Sequence, residues 1–203
     1  MLKIVLASQS PRRKNLLTQL GLKFEVIPSN TEEIITSDNP VSIVEELSAQ
    51  KSLEVSKEID NAFIIGADTI VVFENEILGK PVDKSDAFNM LSLLSNQTHS
   101  VFTGVSVVKK NDGKILAHHQ FVVETKVTFS ALTESEIDAY IETGSPMDKA
   151  GAYGIQDDWG AVFVKEVEGD FYNVVGFPLN KFYQEMKTLE PEFFNQSLNS
   201  ISL

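Results

Sequence analysis

The sequence predicts an α/β fold built on a mixed β-sheet with flanking helices, and three stretches carry that prediction. Residues 62–73, Ala-Phe-Ile-Ile-Gly-Ala-Asp-Thr-Ile-Val-Val-Phe, form an almost unbroken apolar run rich in β-branched side chains. That is the pattern of a buried strand. Residues 100–109 and 115–129 are strand-like runs on either side of Asn111-Asp112-Gly113, a turn that joins antiparallel strands. Near the start, residues 3–7 read as a short buried strand that runs directly into a helix beginning at Pro11. Strand-helix units early and a long hairpin later argue against a simple doubly wound parallel sheet.

The remaining elements follow in order. The first helix covers residues 11–20, with Gly21 suited to its C-terminal cap. Residues 24–28 read as a second strand and residues 41–59 as a second helix, whose Ile43, Val44, Leu47, Val55 and Ile59 make one apolar stripe. A third helix is expected over residues 83–95, with Ala87, Met90, Leu91 and Leu94 on one face. Thr133-Glu134-Ser135-Glu136 is a capping box that opens a helix ending near Gly144, with Leu132 and Ile137 placed as a hydrophobic staple. The Gly-rich stretch 144–160 leads to a strand at 161–167, and a last helix is expected over 174–187. The organisation expected is one large domain or two closely packed lobes over residues 1–187, with a C-terminal tail at 188–203 that is polar apart from Phe193 and Phe194.

Composition narrows the function. The 203 residues suffice for one good core, and 42% hydrophobic with 23% charged residues is ordinary for a soluble globular protein. No cysteine is present, which excludes disulfides, thiolate catalysis and Cys-ligated zinc. The formal net charge of −12 repels nucleic-acid backbones, so no nucleic-acid polymer is expected as a partner. No apolar run reaches the length of a membrane span, and no basic region precedes a long apolar core at the start. A cytoplasmic protein without a membrane partner is the expectation.

The chemistry-bearing residues lie at strand ends and on an inner helix face. Gln9-Ser10-Pro11-Arg12-Arg13 puts two arginines in the first turn of a helix, where cations oppose the macrodipole. Free N–H groups with arginine forks beside them suit a phosphate or polyphosphate. Asp68 lies in the middle of a buried strand, where a carboxylate is costly unless it is hydrogen-bonded, paired or bound to a metal. Structural aspartate, metal ligand and general base are all open to it. Gly66 and Ala67 leave room for another group to approach. Lys51 falls in the apolar stripe of the second helix and must snorkel or meet an anion. Lys80, in Leu78-Gly79-Lys80-Pro81, and the pair Glu32 and Glu33 would each read as solvated loop charges in isolation. Taken together, Arg12, Arg13, Lys51, Lys80, Glu33 and Asp68 fit a Mg²⁺-polyphosphate site.

Other sites are absent or weak. There is no G-x-x-x-x-G-K-[ST] phosphate loop and no Gly-x-Ser-x-Gly nucleophile turn. His99, His118 and His119 lack zinc-binding spacing and read as surface hairpin residues, and Trp159 reads as a loop anchor.

Several ordered motifs resemble the Maf family of nucleoside triphosphate pyrophosphatases, first named for septum formation. They are Leu6-Ala-Ser-Gln-Ser-Pro-Arg-Arg13, Gly66-Ala-Asp-Thr-Ile-Val-Val72, Gly79-Lys-Pro81, Thr103-Gly-Val105, Asp148-Lys-Ala-Gly-Ala-Tyr-Gly-Ile-Gln156 and Val175-Gly-Phe-Pro-Leu179. The resemblance runs from Ile4 to about Lys187. It departs at Phe177, where leucine is common. It implies a Maf/Ham1 (ITPase)-like two-lobed fold with a central cleft, a homodimer, and hydrolysis of a nucleoside triphosphate to the monophosphate and pyrophosphate. It also implies a divalent cation, Mg²⁺ or Mn²⁺, held by Glu33 and Asp68. Asp68, Glu33, Lys51 and Lys80 match catalytic positions, with Asp68 the proton acceptor, and Ser8, Arg12 and Arg13 match the phosphate-binding start. Arg12, Thr69 and Gln156 stand where the family separates its substrates, in a combination similar to the dTTP/UTP branch. Modified pyrimidine nucleotides are further candidates. The Gln156 amide can both donate to and accept from a pyrimidine edge. The family's first name carries the alternative, a nucleotide-binding regulator of cell division with little catalysis.

Overall fold

A computed structural model describes residues 2–194. Among the described residues seven strands, β1 (Lys3–Leu6), β2 (Glu25–Val26), β3 (Ala62–Phe73), β4 (Glu76–Leu78), β5 (Thr98–Asn111), β6 (Lys114–Phe129) and β7 (Val164–Glu168), form one mixed sheet in the order β2-β1-β3-β5-β6-β7, with β4 paired to β3. The chain divides into two units. The first comprises residues up to Asp68, Thr103–Val123 and residues from Gly176 onward; the second comprises Thr69–Phe102 and Glu124–Val175. Among the described residues no helix is long and apolar enough to cross a membrane.

In the first unit, β1 (Lys3–Leu6) lies parallel to both β2 (Glu25–Val26) and β3 (Ala62–Phe73), with Val5 opposite Glu25 and Ile64. Helix α1 (Pro11–Gln19) follows β1, with Ser10 as its N-cap and Pro11 in its first turn. Gly21 takes the left-handed conformation (φ 72°) just beyond its end. Helix α2 (Pro40–Ser56) is capped by Asn39, whose side chain accepts from the N–H groups of Val41 and Ser42. The helix ends at Ser56 rather than at residue 59; its stripe residues Ile43, Val44, Leu47 and Val55 are buried, as is Ile59 beyond its end. Val5, Ala7, Val55, Ile59, Ala62, Ile64 and Val108 form one core cluster.

Two glycines set how closely α2 packs. A Cβ on Gly66 would lie 2.3 Å from the Ser48 carbonyl oxygen, and one on Gly104 would lie 2.2 Å from that of Val44. The expected room beside Gly66 is thus filled by the backbone of α2, which brings Lys51 alongside Asp68.

The second unit contains the rest of β3, β4 (Glu76–Leu78) and α3 (Lys84–Leu94), the latter capped by Asp83. The strands β5 (Thr98–Asn111) and β6 (Lys114–Phe129) pass through both units and meet at Asp112 and Gly113, both at positive φ. Helix α4 (Glu134–Glu142) carries the predicted reciprocal capping box. After it come two 3₁₀ turns, Ser145–Asp148 and Ala150–Ala152. Then follow α5 (Asp158–Phe163), β7 (Val164–Glu168) and α6 (Phe171–Val175).

Several boundaries differ from expectation. The second strand shrinks from five residues to Glu25–Val26. The strand expected at 161–167 begins only at Val164, because Ala161, Val162 and Phe163 complete α5 and bury Phe163 against Tyr140. The single helix expected at 174–187 is two, α6 and α7 (Leu179–Leu189). Gly176 at φ 120° is non-helical, and Pro178 removes a donor and restricts Phe177. Strand β4 was not expected; Glu74 and Asn75 both take positive φ and turn β3 back onto it.

Phe193 and Phe194, expected in the tail, are buried. The Phe193 ring packs edge-on against Phe63 (5.1 Å) and Phe182 (5.6 Å). The rest of the tail, 195–203, lies outside the described residues.

Candidate active site

The first unit gathers most of the predicted site residues. Asp68 and Lys51 are largely shielded, with side-chain exposures of 13% and 15%, and Lys51 Nζ donates to Asp68 Oδ1. The same ammonium lies 2.9 Å from Glu33 Oε1, on a half-exposed side chain. Lys51 therefore meets two anions rather than snorkelling to solvent, and Asp68 is a paired carboxylate rather than an isolated one.

The start of α1 lies in the same electrostatic field. Ser8, buried at the end of β1, accepts from the Ser10 N–H (3.2 Å) and from Arg13 Nη1 (3.4 Å). Arg13 Nε donates to the Gly176 carbonyl (3.0 Å). Ser10 caps the helix by accepting from the Arg13 N–H (3.4 Å). Burial pushes the Arg13 pKa down; Asp68 opposes that shift, Arg12 adds to it and Glu33 opposes it. A guanidinium stays charged through such a change. Arg13 thus feels Asp68, Arg12 and Glu33, and the group presents cations and carboxylates at a helix N-terminus, an arrangement suited to phosphate oxygens.

In the second unit, Thr69 is half-buried and follows Asp68 directly on β3. Lys80 is exposed beyond β4, where Gly79 accepts from the Gly151 N–H (3.0 Å). Gln156 is exposed, and its Nε2 donates to Asp157 Oδ2 (3.1 Å). Lys149, which sequence reasoning did not single out, is buried. Its Nζ donates to the Ser145 carbonyl (2.6 Å) and to Asp148 (2.7 Å), and it lies 3.6 Å from Asp157. Those contacts fix the segment that carries Gln156. The signal available in sequence was a lysine placed between acidic residues at 148 and 157.

The histidines divide. His99 is buried rather than at a surface, with Nε2 2.7 Å from the Tyr153 hydroxyl and its ring edge-on to Phe129. Burial lowers its pKa to about 4. His118 and His119 project from opposite faces of β6, to Ser106 (2.8 Å) and Glu190 (3.1 Å). Trp159 lies on α5 and is 42% exposed.

Among the described residues no three Asp, Glu or His groups converge as a metal site. Two carboxylates do converge, Asp68 and Glu33 on Lys51. That donor set fits a hard cation such as Mg²⁺, which takes one or two protein carboxylates and completes its shell with substrate phosphates and water.

The model of a family described as Maf-like protein matches residues 3–189. A dTTP/UTP pyrophosphatase of Lachnoclostridium phytofermentans is 50% identical over 188 residues, covering 92% of this chain and 95% of that protein. One from Agathobacter rectalis is 48% identical over 202 residues, with coverages of 93% and 98%. A third, from Bacillus anthracis, is 47% identical, with coverages of 92% and 95%. Among solved structures, a nucleoside-triphosphatase (dITP/XTP pyrophosphatase) of Mycobacterium abscessus aligns at TM-score 0.48 and 12% identity, over 92% of this chain and 94% of that one.

Proposed function

This chain belongs to the Maf family, and from that premise we propose that it hydrolyses dTTP and UTP to the nucleoside monophosphate and pyrophosphate. The observation that carries the proposal is the Lys51 ammonium joining Asp68 and Glu33, in the electrostatic field of Arg13 at the start of α1. The names of three near-full-length relatives supply the substrate class.

Water attacks the α-phosphorus, its proton passes to Asp68, the bond from that phosphorus to the bridging oxygen breaks, and pyrophosphate leaves. Asp68 is set for this by the Lys51 ammonium, which holds the carboxylate in one position and offsets its charge as the phosphate approaches. Arg13, held by Ser8 and Gly176, brings its guanidinium charge to phosphate oxygens. Glu33 and Asp68 are the residues that would hold a divalent cation, Mg²⁺ or Mn²⁺, which when bound neutralises phosphate charge. Lys80 is assigned to the departing phosphates. Arg12, Thr69 and Gln156 are assigned to substrate choice, with modified pyrimidines within the range. The reading also takes the enzyme to be cytoplasmic and homodimeric.

The test is a nucleotide panel with Mg²⁺ or Mn²⁺ and separate detection of pyrophosphate and orthophosphate. Pyrophosphate release from dTTP and UTP ahead of the other triphosphates is expected. Orthophosphate without pyrophosphate would overturn the cleavage site. Preference for a purine triphosphate would overturn the substrate assignment, and tight binding without turnover would favour a regulator.

A further inference from the structure

Glu33 sits on no regular element, and what holds it is a set of side chains on α2. Glu46, Gln50 and Glu54 are spaced four residues apart and so share one face of that helix. Each grips the segment 29–36. Glu54 accepts from the Asn30 N–H (3.0 Å) and from the Ser29 hydroxyl. Glu46 accepts from the Thr36 N–H (2.9 Å) and hydroxyl (2.6 Å). Gln50 makes a reciprocal pair with one residue: the Ile34 N–H donates to its Oε1 (3.0 Å), and its Nε2 donates to the Ile34 carbonyl (2.5 Å).

Together with Lys51 on Glu33, these contacts run in a single register. Residues 54, 51, 50 and 46 of the helix meet residues 29–30, 33, 34 and 36 of the segment, in opposite chain directions. The segment is therefore a strap laid antiparallel along α2. Ile34 and Ile35 are 60% and 51% exposed, so apolar burial does little to hold the strap. Its register rests on the polar rungs. Gln50 is the rung that binds both the donor and the acceptor of one backbone residue, as a neighbouring β-strand would. That residue is next to Glu33, and Gln50 is next to Lys51.

We propose that Gln50 is a positioning residue of this enzyme: it sets the strap register that delivers Glu33 to Lys51 and Asp68. The catalytic consequence rests on the hydrolase reading above; the structural consequence does not. Gln50→Ala removes both bonds. Gln50→Glu preserves size and the acceptor, loses the donor, and sets a carboxylate against the Ile34 carbonyl, so it serves if the alanine variant folds poorly.

The experiment has two arms. Amide exchange over residues 29–36 is expected to quicken about tenfold in Gln50→Ala, the size of one lost hydrogen-bond pair. Turnover of UTP is expected to fall about tenfold in kcat with KM within about twofold, and the melting temperature should hold. In a Glu33→Ala background, adding Gln50→Ala should cost nothing further, because a residue acting through Glu33 has nothing left to position. Additive losses in the double variant, or unchanged exchange over 29–36, would overturn the proposal. If the wild type turns over neither dTTP nor UTP, the hydrolase reading fails, and the exchange arm alone decides whether Gln50 holds the strap.

Discussion

His99 couples the stability of the second unit to pH, and the size of the coupling can be worked out. The imidazole is buried with its ring edge-on to Phe129 and Tyr153 and one nitrogen on the Tyr153 hydroxyl. Burial lowers its pKa from 6.5 to about 4. The unfolded chain thus takes a proton at a pH where the folded one refuses it. The stability drawn from neutral His99 is fully present above the unfolded value, is lost as pH falls from 6.5 toward 4, and is gone below 4. A gap of about 2.5 pH units corresponds to about 3 kcal/mol in all, and about 2 kcal/mol of it falls between pH 7.5 and 5.

For a chain of this length about 2 kcal/mol moves the melting temperature by about 4–8 °C. The single tryptophan, Trp159, lies in the same unit with its ring 6.4 Å from that of Phe163, so its fluorescence reports unfolding there. Urea titrations of the wild type and of His99→Gln at both pH values measure the effect. The variant's absolute stability is immaterial, since only its pH dependence is compared. The wild type should lose about 2 kcal/mol more than the variant on acidification. Equal losses would refute the reasoning and place the titrating group elsewhere.

Three further outcomes follow from the packing and the site. Gly66→Ala drives a Cβ to 2.3 Å from the Ser48 carbonyl oxygen, so α2 must retreat. A loss of about 1–3 kcal/mol in urea unfolding is expected, with turnover falling as Lys51 moves from Asp68. Normal stability would show that the helix does not pack so closely. Asp68→Asn should lower kcat by about 10²–10⁴-fold while leaving nucleotide binding measurable by calorimetry; near-normal kcat would make Asp68 structural. Phe193→Ala should cost about 3–5 kcal/mol, because the ring is fully buried between Phe63 and Phe182. A variant as stable as the wild type would mean that this ring is dispensable.

Much of the fold was legible because local patterns and tertiary environment agree. The twelve-residue strand β3 has the predicted bounds, since a continuous β-branched run admits one reading. The Asp112-Gly113 turn and the Thr133 capping box are as expected, because each is set by contacts a few residues apart. What was missed depends on distant partners. The positive φ of Glu74 and Asn75 has no strong sequence signature. Phe193 reads as tail until Phe63 and Phe182 are seen around it.

The site shows the same division. Lys51 in an apolar stripe and Asp68 in a buried strand each announced a partner, and the partners proved to be each other. Glu33 gave only a weak signal. The strap that carries it is held by Glu46, Gln50 and Glu54, whose spacing of four residues reads in sequence as an ordinary solvated face. His99 gave no warning of burial, since a lone histidine near a strand end carries no signature of the aromatic cage around it.

The central claim is attack of water on the α-phosphorus, and the position of a labelled oxygen tests it directly. Wild-type enzyme would turn over UTP in ¹⁸O-water with Mg²⁺, and both products would be weighed by mass spectrometry. One labelled oxygen in the monophosphate, with unlabelled pyrophosphate, is the predicted result. Label in the pyrophosphate would mean attack at the β-phosphorus and would contradict the proposed reaction.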